Sequence, residues 1–422
     1  MKTIVFLLFA ATYIGMLAFP KYRQYIAIAV AAVFVLMGVM PFGEALGAVD
    51  WNVIMMLRGT MGTVYLCIES KMPARIADIL VNKLKSVKLI FIALALFSGF
   101  VSAFIDNVAT VLMIAPIALE IAKKFNVSPV DTVLTVAVSS NLQGAATLVG
   151  DTTSILLGGY AGMDFMDFFF MRGRLGMFFV VQRGALATVP VLMYIFRNEK
   201  NRIDSSPITP VKDYFPSITL LGTVIALIIA SFVPNKPSIT NGVICVIFFV
   251  ITLIYEMIRR ETITRFQQAI FAIDFSTLLL LSGLFIIIHG ITNVGFIDDL
   301  SSMFVRVSGD NLFVIYTVLV WFSVLVSAFI DNIPYVATML PVVSGIATRL
   351  GIDPLILYFG LLAGATLGGN ITPVGASANI AAGGILRREG YEVSAKKFMS
   401  IGIPFTLVAV LTGYTLIWVI WS

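Results

Sequence analysis

Two copies of an Asp-Asn pair stand inside long apolar stretches of the sequence. Asp106-Asn107 and Asp331-Asn332 each close the hexapeptide Ser-Ala-Phe-Ile-Asp-Asn. A carboxylate at the centre of a membrane helix costs about 2.5–3.5 kcal/mol on insertion scales, so it marks a functional site by default. With the neutral oxygen of the neighbouring asparagine, each carboxylate can bind a hard cation such as Na⁺ or carry a proton. The alternative is structural, with each aspartate capping the helix that follows it.

A second set of polar residues and glycines interrupts the apolar stretches 129–158 and 355–386. Together with the Asp-Asn pairs, the predicted cation or proton site comprises Asn141, Gly144, Gly369 and Thr372. The predicted solute site comprises Gln143, Thr147, Asp151, Thr152, Ser154, Asn370, Ser377 and Asn379. Amide and hydroxyl groups can bind cation or solute oxygens, and glycine lets the backbone approach closely. Alternatively, these side chains satisfy backbone groups at helix breaks and allow close helix packing.

The composition indicates that these residues lie in a membrane. The hydrophobic fraction of the 422 residues is 59%, and charged residues make up 12%, whereas soluble domains carry about 25% charged residues. Apolar runs long enough to cross about 30 Å of hydrocarbon recur along the chain. The sequence therefore predicts an all-α polytopic membrane protein with about ten full spans, in contact with the lipid bilayer. The net charge of +5 reflects basic loops rather than a nucleic-acid surface.

The chain divides into two similar halves. Asp331 follows Asp106 by 225 residues, and Asp274 follows Asp50 by 224 residues. The predicted first half consists of N-terminal spans 1–49 and repeat 1 (50–196), with a re-entrant hairpin 88–124 and a broken helix 129–158. After a basic, cytoplasmic linker 197–216 come scaffold spans 217–273 and repeat 2 (274–421), with a hairpin 312–349 and a broken helix 355–386.

The loop charges predict that the two repeats cross the membrane in opposite directions. Loop 70–88 carries five Lys and Arg residues, whereas its counterpart near 295–312 is acidic. Basic loops remain in the cytoplasm, so equivalent loops of opposite charge indicate an inverted-topology repeat. Secondary transporters of this kind form their binding site at the bilayer midplane from broken helices, whose freed backbone groups face the ligand.

Three segments carry a resemblance to the ion transporter superfamily: SAFIDNVATVLMIAPIAL, SNLQGAATLVGDTTSILLGG and GGNITPVGASANIAAGGILRREGY. The chain resembles the branch of arsenite-efflux permeases, D-type sodium/proton antiporters and the P protein, and more distantly the dicarboxylate and citrate carriers. The resemblance implies a homodimer and an elevator-type movement of a transport domain against a scaffold. It also implies that the two Asp-Asn pairs stand where the dicarboxylate carriers place sodium-binding hairpin tips.

These observations favour a secondary active transporter of a small anion or oxyanion-like solute, of the arsenite or carboxylate type, coupled to Na⁺ or H⁺. The alternative is a sodium/proton antiporter without a solute, and a passive channel is a third reading. The sequence contains no P-loop, HExxH or CxxC motif, so we expect neither enzymatic activity nor a cofactor. We expect a multi-pass protein of the cell (inner) membrane; an ATPase subunit as a partner stays open.

Overall fold

The computed structural model describes residues 2–84, 86–199, 208–260, 269–271, 273–309 and 311–422. Residues 200–207 of the predicted linker 197–216 lie outside this description. The described residues are predominantly helical, with one short hairpin of two strands, Phe170–Met171 and Arg174–Leu175.

The first half contains eleven α-helices among the described residues. They are Lys2–Ala18, Arg23–Leu36, Phe42–Ala45, Trp51–Glu69, Met72–Lys83, Val87–Ser102, Asn107–Lys124, Pro129–Gly144, Thr152–Ala161, Met177–Ala187 and Val189–Ile195. Short 3-10 helices cover Pro20–Tyr22 and Phe165–Phe168.

The second half repeats much of this order. Its described α-helices are Phe215–Ser231, Thr240–Arg260, Phe275–Asn293, Phe296–Ser308, Leu312–Ser327, Asn332–Leu350, Leu355–Gly368, Ser377–Arg388 and Ala395–Trp421. A 3-10 turn, Gly369–Ile371, follows Leu355–Gly368.

Five helices of the described chain are long and apolar enough to cross a membrane, and the number rises to seven if each of two bent pairs is one span. One bent pair is Lys2–Ala18 with Pro20–Leu36, whose axes differ by 116°. The helical content and the interrupted helices confirm the predicted all-α membrane fold. The number of about ten full spans stays a prediction.

Equivalent glycines show how the halves use the same packing. A Cβ atom on Gly59 would lie 2.3 Å from the backbone of Cys245, and one on Gly283 would lie 2.7 Å from the backbone of Ala27. Because backbones meet at both places, helices 51–69 and 275–293 each pack closely on a helix near the start of the opposite half. Helix Thr240–Arg260 is therefore the counterpart of helix Arg23–Leu36.

The hairpins and broken helices interlock across the repeats. Helix Val87–Ser102 packs on Pro129–Gly144 of its own repeat, and Leu312–Ser327 packs on Leu355–Gly368 in the same way. The second helix of each hairpin packs on the broken helix of its own repeat and also on the other repeat: Asn107–Lys124 contacts Ser377–Arg388, and Asn332–Leu350 contacts Thr152–Ala161. This exchange brings both hairpin tips and both helix breaks to one centre.

Candidate functional site

Each hairpin tip is a turn that ends in an aspartate. The Asp106 Oδ1 atom accepts hydrogen bonds from the backbone N–H groups of Val108 and Ala109 at 3.0 and 3.1 Å. Asp331 Oδ1 accepts one from Ile333 at 3.1 Å. Both aspartates therefore cap the second helix of their hairpin, which is the structural role that the sequence offers as an alternative. Capping uses the Oδ1 atom of each carboxylate and leaves its Oδ2 atom for another partner.

The helix breaks are attached to the hairpin tips by matched contacts. The Thr147 hydroxyl donates to the carbonyl oxygen of Ala103, and the Thr372 hydroxyl donates to that of Ala328. Both threonines are buried. These bonds attach the tips to the breaks, and the roles of Thr147 in solute binding and Thr372 in cation binding stay predictions.

Glycine is required where each break passes its tip. A Cβ atom on Gly150 would lie 2.5 Å from the carbonyl oxygen of Gly144 and 2.8 Å from that of Ala103. A Cβ on Gly375 would lie 2.6 Å from the carbonyl oxygen of Gly369 and 2.9 Å from that of Ala328. Such distances exclude any side chain without a backbone shift. The glycines of the two breaks therefore let four segments of backbone meet at the centre.

Asn141 joins the two repeats by hydrogen bonds. Its side-chain amide donates to the carbonyl oxygen of Thr366 at 2.8 Å. Thr366 lies 225 residues after Asn141 and is therefore the residue that corresponds to Asn141 in the second repeat. The same amide donates to Asn370 Oδ1 at 3.1 Å, while Asn141 Oδ1 accepts from Asn107 at 2.9 Å. The chain of amides Asn107, Asn141 and Asn370 thus connects the first hairpin tip to both broken helices. All three are buried.

A cavity of about 370 Å³ lies against this network. The hairpin-tip residues Asp106, Asn107 and Asn332 line it, together with Asp151 at the first break. Its lining residues are Met61, Val64, Tyr65, Ile68, Asp106, Asn107, Val108, Ala109, Leu112, Asp151, Thr152, Asp274, Thr277, Asn332, Ile333 and Ser377. This set contains three carboxylates and no Lys, Arg or His.

Asp151 makes the centre asymmetric. Its Oδ2 atom accepts from Thr153 Oγ1 at 3.0 Å and from the amide of Asn332 at 3.4 Å. The equivalent residue of the second repeat is Ala376. The first break therefore carries a buried carboxylate beside the second hairpin tip, whereas the second break offers no acid to the first tip.

The two hairpin tips differ in charge, because Arg23 pairs with Asp331 of the second tip. The sequence does not predict a role for Arg23 in the site. Its guanidinium lies 2.5 Å from Asp331 Oδ2, which also accepts from Ser377 Oγ at 3.3 Å. Asp106 has no cationic partner among the described residues. The signal that could have identified Arg23 is a charge at the start of an apolar stretch, because such a charge needs a partner if it is buried.

Asp331 is paired with Arg23, and the structure separates the other predicted site residues into three groups. Those that line the cavity are Asp106, Asn107, Asp151, Thr152, Asn332 and Ser377. Those in the central network or at the breaks are Asn141, Gly144, Thr147, Asn370, Gly369 and Thr372, while Ser154 and Asn379 donate to the carbonyl oxygens of Gly144 and Gly369. Gln143 is buried and contacts Gly99 in the first helix of hairpin 1, away from the cavity lining.

A second cavity of about 310 Å³ occupies the equivalent position in the other repeat. Its residues Phe285, Ile288, His289 and Thr292 follow Met61, Val64, Tyr65 and Ile68 of the first cavity by 224 residues each. Asp50 lines the second cavity and its equivalent, Asp274, lines the first. The second cavity reaches hairpin 2 at Ala337, Leu340 and Pro341, beyond the tip, whereas the first reaches both tips.

Curated relatives align with three quarters of the chain or more. An uncharacterized transporter of Mycobacterium tuberculosis is 28% identical over 429 residues, covering 99% of this chain and 98% of the relative. An uncharacterized transporter of Synechocystis is 25% identical over 375 residues, covering 82% of this chain and 81% of that protein. The human P protein is 24% identical over 398 residues, covering 76% of this chain and 48% of the P protein. The predicted resemblance to the P protein branch is confirmed.

Solved structures with the same fold are transporters. The YdaH transporter of Alcanivorax borkumensis superposes with a TM-score of 0.61 at 15% identity, covering 89% of this chain and 86% of YdaH. MtrF of Neisseria gonorrhoeae, described as one of a class of antimetabolite efflux pumps, superposes with a TM-score of 0.55 at 13% identity. The match covers 92% of this chain and 83% of MtrF. The sequence pattern of the citrate transporter family matches residues 4–364, and the chain belongs to this family of secondary transporters.

Proposed function

We propose that this protein moves a small carboxylate- or oxyanion-type solute across the membrane, coupled to Na⁺ or H⁺, by elevator-type alternating access. One observation carries the proposal: the cavity between the hairpin tips is lined by Asp106, Asp151 and Asp274, with no basic residue among its lining. A site with this charge attracts cations. The family match supports a carboxylate such as citrate as the solute.

The charges set the order of binding. An anion that entered the empty cavity would meet three carboxylates, and like charges repel strongly where the effective dielectric constant is low. A cation or proton on Asp106 and Asp151 removes this repulsion. Cation binding therefore comes before solute binding, and this order couples the two fluxes.

The available oxygens suit a cation of low charge. The described residues hold no group of three His, Cys, Asp or Glu side chains placed to hold a metal ion. A cation at the first tip would use the free oxygen of Asp106, with neutral oxygens from Asn107 and backbone nearby. Na⁺ fits such a ligand set, and a proton needs only the carboxylate.

The cavity has the size of a small-molecule site. Its volume of about 370 Å³ lies near the lower end of the range of about 300–1,000 Å³ for ligand pockets. Its lining combines the apolar residues Met61, Val64 and Leu112 with the side-chain amides of Asn107 and Asn332. A compact organic anion fits this space better than an extended one.

Alternating access is supported by the pair of equivalent cavities. Helix Trp51–Glu69 borders the first cavity and helix Phe275–Asn293 borders the second, and these helices occupy the same position in the two repeats. In an inverted repeat, exchanging the conformations of the halves exchanges the open side. We propose that the site reaches the second cavity when the hairpins move relative to these two helices.

A sodium/proton antiporter is the second candidate, and the acidic lining of the cavity favours it directly. An antiporter would use Asp106 for Na⁺ and H⁺ in turn and would need no solute. The two candidates differ in a liposome experiment with imposed Na⁺ or pH gradients and labelled citrate or arsenite. Gradient-driven solute uptake supports the solute carrier; Na⁺-driven proton movement without any solute supports the antiporter.

A further inference from the structure

Arg23 distinguishes two hairpin tips that are otherwise built alike. Asp106 and Asp331 occupy equivalent positions and cap equivalent helices. Their second carboxylate oxygens differ, because that of Asp331 contacts the Arg23 guanidinium at 2.5 Å. Asp106 instead faces the cavity and has no such partner among the described residues.

The arginine comes from outside the hairpins and broken helices. It stands at the first position of helix Arg23–Leu36, which packs through Ala27 on Gly283. The same helix pair in the other half meets at Cys245 and Gly59, so the residue equivalent to Arg23 is Asn241, four residues before Cys245. Asn241 donates to Asp164 at 3.2 Å and carries no charge. The first tip is thus left without a built-in cation.

The pair is well shielded from solvent. The side chain of Arg23 is 22% exposed and that of Asp331 is 14% exposed. Arginine stays protonated under all physiological conditions, so its charge is permanent. The nearby Tyr13 hydroxyl donates to the carbonyl oxygen of Pro334 at 2.7 Å, which holds the second hairpin against the N-terminal helices.

We propose that Arg23 is a tethered cation that occupies the ion position of the second hairpin tip. In the conformation that the structure shows, it neutralises Asp331 and excludes a mobile cation from that tip, so that the chain binds one coupling cation at Asp106 rather than one at each tip. Because helix Arg23–Leu36 packs on helix Phe275–Asn293, the pair separates when the hairpins move relative to that helix. This inference rests on the proposed function, because it assumes that the tips are cation sites. Arg23 acts as a specificity-determining residue for the number of coupled ions.

The test counts the cations bound per purified chain. Binding of ²²Na⁺ is measured by scintillation proximity, and protons taken up are measured by pH titration in unbuffered solution. The wild type binds about one mobile cation at the tips, and Asp106→Asn removes it. Arg23→Gln gains about one more, because Asp331 becomes free, and the gain disappears in Arg23→Gln/Asp331→Asn. Arg23→Lys keeps the wild-type count, since lysine preserves the charge.

The outcomes separate this inference from the proposed function. If the wild type binds a cation at each tip, and Asp106→Asn removes only one, the tethered-cation inference is wrong while coupling stands. If the Arg23→Gln count equals that of the wild type, the inference is likewise wrong. If no cation binding depends on Asp106, the proposed function itself fails. The wild type and Asp106→Asn alone decide the matter if Arg23→Gln does not fold.

Discussion

Replacing each tip aspartate by asparagine gives two proteins that we expect to behave differently. Asp106→Asn keeps the cap, since asparagine and aspartate are comparably good at the N-terminus of a helix. It removes the only charge that the first tip presents to the cavity. Asp331→Asn keeps a cap as well, but it removes the anionic partner of Arg23. The first change is expected to affect coupling, and the second is expected to affect stability as well.

The size of the difference follows from burial. Removing one partner of a buried ion pair costs about 3–5 kcal/mol, because an uncompensated charge remains. The Arg23 side chain is 22% exposed. We therefore expect Asp331→Asn to lower the free energy of unfolding by about 3 kcal/mol, the lower end of this range. For Asp106→Asn we expect a change within about 0.5 kcal/mol, as for substitutions that leave packing and caps intact.

Reversible unfolding in detergent, followed by the loss of helical circular dichroism, measures this difference. Arg23→Gln and the double variant Arg23→Gln/Asp331→Asn complete a double-mutant cycle, which isolates the energy of the pair. The double variant should recover most of the stability lost in Asp331→Asn, because no buried charge is then stranded. If Asp331→Asn is as stable as Asp106→Asn, the ion pair contributes nothing and the asymmetry between the tips is refuted.

Two further substitutions test the contacts around the cavity. Gly375→Ala places a methyl group 2.6 Å from the carbonyl oxygen of Gly369 and should destabilise the protein by about 1–3 kcal/mol. Gly383→Ala is the matched control, because nothing lies within 4 Å of its Cβ. Equal melting temperatures of the two variants would contradict the close backbone contact between Gly375 and Gly369. Asp274→Asn keeps the bond from Thr277 N and removes one cavity carboxylate. This substitution should raise the half-saturating cation concentration a few-fold in flux assays. An unchanged concentration would show that the Asp274 carboxylate does not help to attract the cation.

The repeated motifs let the sequence predict the centre of the molecule. Polar residues clustered with glycines inside two apolar stretches, and aspartates placed after two others, favour interrupted helices at these places, because freed backbone and carboxylates at membrane depth must line a cavity or be buried in protein. The helix ends at Ser102 and Ser327, with caps at Asp106 and Asp331, follow from that local chemistry.

Contacts between distant parts of the chain could not be predicted in this way. Arg23 reaches Asp331 across 308 residues, and no local pattern encodes that pairing. The sequence identifies Asp274 as the repeat equivalent of Asp50, but the position of Asp274 in the cavity lining depends on how helix 275–293 packs. For Gln143, the motif predicts a place in the solute site, whereas the side chain lies beside Gly99 and outside the cavity lining. Side-chain direction is a property of packing, which the linear motif leaves open.

The binding of citrate to the purified protein tests the central claim most directly. Isothermal titration at alkaline pH is run without Na⁺, with Na⁺, and again at acidic pH, with Asp106→Asn as the control. The acidic cavity predicts no citrate binding to the wild type until Na⁺ or protons are supplied, and loss of this cation dependence in Asp106→Asn. Equal citrate affinity in all three conditions would contradict the account, because the carboxylates would then have no part in admitting the solute.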